Sequence, residues 1–453
     1  MIIGLISIGL NNILIFNIFL IILMIFIALL LWDRTLNIWS PSFWFAFGIT
    51  ISLLIRGLIL YQNNYQSPLL MGSITYGYET VLNSQIVILI GTLSYLVGYV
   101  VFNKNYMRVP NVVLKEKQWK YLRNIAWVSI FVGIFGAYWV FHNSIFSLLF
   151  NTFQERQNLQ SQGIGVLNTF LIAMTPAIII LLQTSKGKYA IKEHLVLIVI
   201  SAVYLMTGSR SLDVALALYY VMYTWHNKKG KSRTISMVII VVLCFLLILV
   251  IPLYRYATAT VATSGSLSNA FSIQVQNGLL NSIFENTFNS FDGLLMVLSI
   301  FPGQFNPTYG SQTLLLPFET LIPRQIWPSK PVPMTNVIAQ QILGWGSSGN
   351  FVSIFGQFYI EGLFLGVIVG MFIFGILCKW TVNYYKHLKC VEDPLLVIKY
   401  APLLYSIIRF TVAAGSLDIV IFYQYIVSTF ILTIPILKLQ NKQIVRLKSE
   451  SIS

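Results

Sequence analysis

The sequence predicts an all-α, polytopic integral membrane protein with about eleven transmembrane helices and one large extracytoplasmic loop. Three observations predict it. Of 453 residues, 57% are hydrophobic and only 9% charged, and the mean hydropathy is +0.76, far from the range of soluble domains. Apolar runs recur at the roughly 17–25 residues needed to cross a hydrocarbon core. Finally, the lysines gather at one set of run ends, as the positive-inside rule requires, while the opposite side carries arginines.

The runs justify the elements in order. Residues 13–32 form the first span; the chain before it has no basic n-region and no small-residue cleavage site, so it reads as a retained helix. Residues 41–61, 85–102, 124–141 and 165–182 give four more. Residues 195–226 are apolar except at Thr207-Gly208-Ser209-Arg210-Ser211, which divides them into a hairpin of two short spans. Residues 235–255 complete an N-terminal bundle, 1–255, of about eight helices. An extracytoplasmic domain, 256–360, follows, and 361–453 holds spans at 362–378, 395–410 and 418–437 before a basic tail.

Charge fixes the orientation. Placing 104–123, 186–192, 228–233, 379–389 and 438–448 on the cytoplasmic side gathers nearly all lysines there, with Arg34. The N-terminus is then outside and the C-terminus cytoplasmic. Lys399 falls one turn inside a span, where it can snorkel. The net charge of +15 is thereby explained by topology, and no nucleic-acid partner is expected. The cysteines, Cys244, Cys378 and Cys390, leave no pair outside for a disulfide and no ligand spacing for a metal. Matched interrupted helices in two halves, the mark of many transporters, are missing.

The outer side carries arginines instead: Arg56, Arg156, Arg210, Arg255, Arg324 and Arg409, with Lys330 its single lysine. Guanidinium groups are costly near a bilayer and suited to bidentate phosphate binding. Leu195 to Ser209 is 15 residues, about 22 Å of helix against a core of about 30 Å. Arg210 is therefore expected recessed in the outer half of the membrane, beside the free N–H groups of the next helix; an ion pair with Asp213 is the structural alternative. Arg409 precedes a short outer turn, with Asp418 as its structural alternative. Arg255 sits between tyrosines at a span end, Arg324 lies in rigid backbone, and Arg56 is expected to pair internally or snorkel. Together these point to an enzyme handling a phosphorylated lipid at its outer face.

Within the outer domain, residues 293–301 are too short to cross and stop at Pro302-Gly303, so they read as an interfacial or buried helix. Residues 321–331, Leu-Ile-Pro-Arg-Gln-Ile-Trp-Pro-Ser-Lys-Pro, cannot form a continuous helix. The glycine-rich 344–350 permits close backbone approach. Tyr309, Trp327, Trp345 and Tyr359 could stack on sugar rings. Among outer acids, Glu319 and Glu361 are best placed as a general base or as counter-ions to arginine. His142 is the outer side's single histidine, and no Ser-His-Asp set or Walker loop is present.

The Thr207–Ser211 hairpin, the string Ile322-Pro-Arg-Gln-Ile-Trp-Pro-Ser-Lys-Pro331 and Gly356-Gln-Phe-Tyr-Ile-Glu-Gly362 at the re-entry resemble the Wzy-type polymerases of O-antigen, capsule and exopolysaccharide pathways. The last element departs from the family pattern, which has a Phe-Gly or similar pair where this chain has Glu361-Gly362. The resemblance implies a GT-C-like membrane glycosyltransferase that joins undecaprenyl-pyrophosphate-linked repeat units outside the cytoplasmic membrane. It moves the growing chain onto a new unit and releases undecaprenyl pyrophosphate. It implies inversion at the anomeric carbon, no cofactor and no metal, and as partners membrane lipids, a flippase and a chain-length regulator. Arg210 and Arg409 would hold the pyrophosphate, with Arg255 and Arg324 as second contacts; Glu319 and His142 are candidates for the base, and Trp327, Trp345 and Tyr359 for sugar contacts. An O-antigen ligase-like transferase shares the Ser-Arg hairpin but is expected to have a histidine in the large outer loop, which this chain lacks. A flippase would spread ionisable residues through many helices.

Overall fold

The computed structural model describes residues 2–33, 36–62, 64–67, 74–102, 114–141, 165–185, 190–206, 210–227, 290–319, 322, 326–327, 329, 331–342, 352–413 and 423–429. They are helical apart from turns and one two-residue antiparallel ribbon, β1 (Gln66–Ser67) against β2 (Ile74–Thr75). The helices are α1 (Ile2–Leu30), α2 (Pro41–Gln62), α3 (Tyr78–Val101), α4 (Glu116–Phe141), α5 (Gly165–Thr184), α6 (Ala190–Met206) and α7 (Arg210–Asn227). Then come α8 (Ser290–Ile300), α9 (Leu316–Glu319), α10 (Met334–Gln341), α11 (Ser353–Cys390) and α12 (Leu396–Ala413). Residues 423–429 are helical as well.

Among the described residues five helices are long and apolar enough to cross a membrane: within α1, and α2, α3, α4 and α11. The expected span at 235–255 lies outside the described residues. Where the two can be compared, the apolar runs coincide with helices to within a residue or two, and most of the helices extend further at one end or both. The third begins at Tyr78, ahead of its apolar core. The hairpin's first helix starts at Ala190, taking in Lys192 and Glu193. Residues 379–389, expected as a basic loop, are the last turns of α11. Hydropathy marks what lipid covers, whereas backbone hydrogen bonding continues into the charged flanks.

Side chains tie the lysine-bearing ends together. Lys386, near the end of α11, pairs with Asp33 after α1 at 2.5 Å, and Arg123 of α4 pairs with Glu193 of α6 at 3.1 Å. Lys379 lies over the Tyr99 ring at the end of α3. The Tyr400 hydroxyl of α12 donates to the Trp39 carbonyl before α2 (2.6 Å), and that of Tyr223 in α7 to the Leu182 carbonyl of α5 (3.0 Å). Lys399 reaches back past the start of α12 to Asp393 at 2.7 Å, the direction in which a snorkelling lysine points. One end of the bundle thus collects these cations.

The tightest packing is between α3 and α11. A Cβ on Gly98 would sit 2.1 Å from the Phe372 carbonyl oxygen, and one on Gly375 would sit 2.2 Å from that of Tyr95. Small residues let these backbones touch, which is how helices associate when lipid removes the hydrophobic drive.

Candidate functional site

At the end opposite the lysines, α12 packs on α7. Arg409 Nη1 donates to the Tyr405 hydroxyl oxygen at 3.4 Å, and that hydroxyl donates to the Ser211 carbonyl at 2.5 Å. Arg409 and Tyr405 face the same way because they lie four residues apart on one helix. Ser211 follows Arg210, the first residue of α7. Tyr405 therefore joins the ends of the chain that carry Arg210 and Arg409. The Arg210 side chain lies outside the described residues.

Tyrosines surround this link. The Tyr425 ring meets Tyr405 edge-on at 5.0 Å and Tyr219 at 6.5 Å. Tyr204 donates to the Leu171 carbonyl at 2.6 Å and lies 3.0 Å from the Thr175 hydroxyl. Asp213, one turn into α7, accepts from Ser201 of α6 at 3.0 Å; the Arg210 side chain, its expected alternative partner, lies outside the described residues. Three polar atoms of this cluster are buried without a hydrogen-bond partner among the described residues: Asp213 Oδ2 and the Tyr219 and Tyr425 hydroxyls. Arg409 is within electrostatic reach of Tyr425, and Asp213 of Tyr204. Buried polar atoms normally have partners, so the orphaned hydroxyls near the Arg409 guanidinium and the N-terminus of α7 leave donors for a polar or anionic group, whereas the Asp213 oxygen is an acceptor and calls for a donor.

A second basic centre lies nearby. Arg56, fully buried, forks onto Asp292 of α8, Nε to Oδ2 at 2.8 Å and Nη2 to Oδ1 at 3.1 Å. Internal pairing, the first of its two expected fates, is the one observed. It follows a π-helical stretch, Thr50–Ile55, within α2. Residues 293–301 do belong to a buried helix, α8, and Asp292 is in its first turn, where a carboxylate is favoured. Ser290 donates to the Val412 carbonyl at 2.7 Å and Ser52 to that of Thr411 at 3.1 Å, which docks this centre on the outer end of α12. Tyr76, outside the spans, has its hydroxyl pushed above the usual range by burial, with the Asp292 charge adding to the effect.

Glu361 ends the first part of α11, where the helix breaks at Gly362 and Leu363. Leu363 has φ 55°, a strained value for leucine. The Glu361 carboxylate accepts from the Thr308 hydroxyl and the Gly310 N–H, each at 2.7 Å, and from the Thr313 hydroxyl. Its described partners are hydroxyl and amide donors, not an arginine. Glu361 clamps the outer segment onto the helix break.

The remaining sequence candidates are distributed as follows. Glu319 ends α9 and is half-buried; its neighbour Phe318 meets Tyr423, two residues before Tyr425, at 6.3 Å. Trp327 is half-buried and donates to Ser329 at 3.1 Å. Tyr359 is 6% exposed, its ring edge-on to Phe364 at 5.5 Å, so it offers little free face for a sugar. His142, Arg156, Arg255, Arg324 and Trp345 lie outside the described residues. Among the described residues no three His, Cys, Asp or Glu side chains gather as a metal site.

Sequence reasoning missed Tyr405 and Tyr425, and saw Asp292 only as one of several outer acids without its arginine partner. Tyr405 had a signal, its four-residue spacing from Arg409. Asp292 had one too, as the lone acid at the head of an apolar run that needed a partner. Tyr425 had none.

The family model of the O-antigen polysaccharide polymerase Wzy matches residues 1–329 of the 453. That stretch holds Arg56, Arg210, Asp213, Asp292 and Glu319, and stops before Glu361, Tyr405 and Arg409. No curated protein and no solved structure matches the chain.

Proposed function

The chain belongs to the O-antigen polysaccharide polymerase Wzy family, and on that premise we propose that it polymerises undecaprenyl-pyrophosphate-linked repeat units at the outer face of the cytoplasmic membrane. The family is membrane-embedded and acts in repeat-unit polymerisation on lipid-linked oligosaccharides. In the proposal, the growing chain leaves its carrier for the non-reducing end of a fresh unit, with inversion and with release of undecaprenyl pyrophosphate. No metal, nucleotide sugar or other cofactor takes part. A flippase and a chain-length regulator act before and beside it. The architecture is GT-C-like with about eleven spans, divided at 255 and 360, N-terminus outside and C-terminus cytoplasmic.

Departure of pyrophosphate builds negative charge, which guanidinium groups already in position stabilise without reorganising. Arg409 and Arg210 take that role, and Arg255 and Arg324 bind the second lipid phosphate. Glu319 and His142 are the bases considered for the acceptor hydroxyl. Trp327 and Trp345 stack on sugars, with Tyr359 reaching them only if its ring leaves Phe364. The observation that supports this reading most is the Tyr405 hydroxyl, which links Arg409 to the backbone beside Arg210 in a cluster with orphaned polar atoms.

The test is deletion of the gene followed by sizing of the surface glycan. Single repeat units are expected. A ladder of chain lengths identical to the parent's would end the polymerase reading.

A further inference from the structure

The outer segment contains a helix built inside out. Its nine residues are a π turn, Ser311–Leu315, running into α9. Its polar side chains face the protein: Thr313 donates to Glu361, and the Gln312 carbonyl oxygen accepts from the Met334 N–H at 2.7 Å. Three of its four large apolar side chains face away, with Leu314 61%, Leu315 55% and Phe318 64% exposed, while Leu316 anchors the helix to the protein at 0%. Tyr309 and Ile326, flanking the helix in sequence, are more exposed still. A surface helix against water shows the opposite polarity.

Position identifies what covers this face. The Tyr309 N–H donates to the Glu361 carbonyl at 2.9 Å and the Thr308 N–H to that of Ile360 at 2.9 Å. These bonds, with the carboxylate clamp, fix the start of the helix at the residue where α11 breaks. Within a turn of that break, Phe364 and Leu365 begin the exposed apolar surface of the α11 span. The apolar face of the outer segment therefore starts at the level where the lipid-covered surface starts, and its exposed tyrosine is the residue type enriched at that boundary.

We propose that residues 309–319 form an interfacial element, with Leu314, Leu315 and Phe318 inserted into the headgroup–acyl boundary of the outer leaflet. The occupant is bilayer lipid, not a protein partner. The Phe318 contact with Tyr423 makes this lipid-seated helix a neighbour of the helix carrying Tyr425. A lipid-linked molecule diffusing in the leaflet would pass it on the way to Tyr425 and Arg409.

The test uses the full chain lacking its three cysteines, with Leu315→Cys or Leu314→Cys carrying a bimane fluorophore, in phosphatidylcholine–phosphatidylglycerol bilayers. Leu365→Cys, on the exposed face of α11 within a turn of the helix break, serves as the lipid-facing reference at the same level. Lipids brominated near the top of the acyl chain are expected to quench both outer-segment labels as strongly as the reference, and aqueous iodide to leave them bright. Iodide quenching at 314 and 315 would overturn the proposal, as would resistance to both quenchers, which would mean that protein covers the face. The readout needs no polymerase activity, so it stands or falls apart from the proposed reaction.

Discussion

Arg409 reaches the Tyr405 hydroxyl, one helical turn earlier, at 3.4 Å, and the same hydroxyl holds the carbonyl of Ser211. One oxygen thereby accepts from the guanidinium of α12 and donates to the first turn of α7. Tyr405→Phe removes both bonds while keeping the ring on Tyr425. A net loss of about 0.5–1.5 kcal/mol per bond is expected. If positioning is what the link supplies, polymerisation falls roughly tenfold for each 1.4 kcal/mol, with thermal stability lowered only slightly. A full rate from Tyr405→Phe in a lipid-linked repeat-unit assay would remove the link from the mechanism.

Arg210→Lys and Arg409→Lys test the fork. Each keeps the charge and loses bidentate geometry. Both are expected to insert normally and to make little polymer. Full-length polymer from either, seen on a glycan gel, would argue against bidentate phosphate contact at that position.

Arg56 and Asp292 form a pair buried on both sides. Removing one partner strands the other's charge, at a cost of about 3–5 kcal/mol, whereas replacing both with apolar residues of similar size is close to neutral. Arg56→Met and Asp292→Leu are each expected to lower the melting temperature of the purified protein sharply. The double variant should recover most of the loss. Additive losses in the double variant would show that the pair is not the source of the effect.

Glu361→Gln tests the clamp between the outer segment and α11. Bonds to a charged acceptor contribute about 1.5–3 kcal/mol each, and the amide keeps them only in weakened form. Limited proteolysis should cut faster between 302 and 342, while the membrane-embedded fragments stay resistant. An unchanged cleavage rate would mean that other contacts hold the segment.

Gly98→Leu tests the α3–α11 seam. Its new Cβ would meet the Phe372 carbonyl at 2.1 Å, a backbone atom that cannot step aside cheaply. Overpacking of this kind costs about 1–3 kcal/mol or more. Lower yield of folded protein by size exclusion is the expected result; normal yield would show that the helices can separate there.

The sequence by itself determined the class of protein, the helical runs, the end of the bundle that gathers lysine and the likeness to its family. These are properties of local composition, because lipid demands long apolar helices and charge bias is counted loop by loop. It also marked Arg210 and Arg409 as unusual, since a charge near lipid is conspicuous without any partner in view. Only the tertiary structure decided what those charges meet. Arg56 finds Asp292 across 236 positions, and the Glu361 carboxylate accepts from Thr308, some fifty residues earlier in the chain. Tyr405 reaches Ser211 across 194 positions. Such partners depend on which helices pack side by side and on how each is rotated about its axis. That is set by small-residue seams such as Gly98 on Phe372 and by buried polar groups finding one another. No single stretch of sequence contains either piece of information.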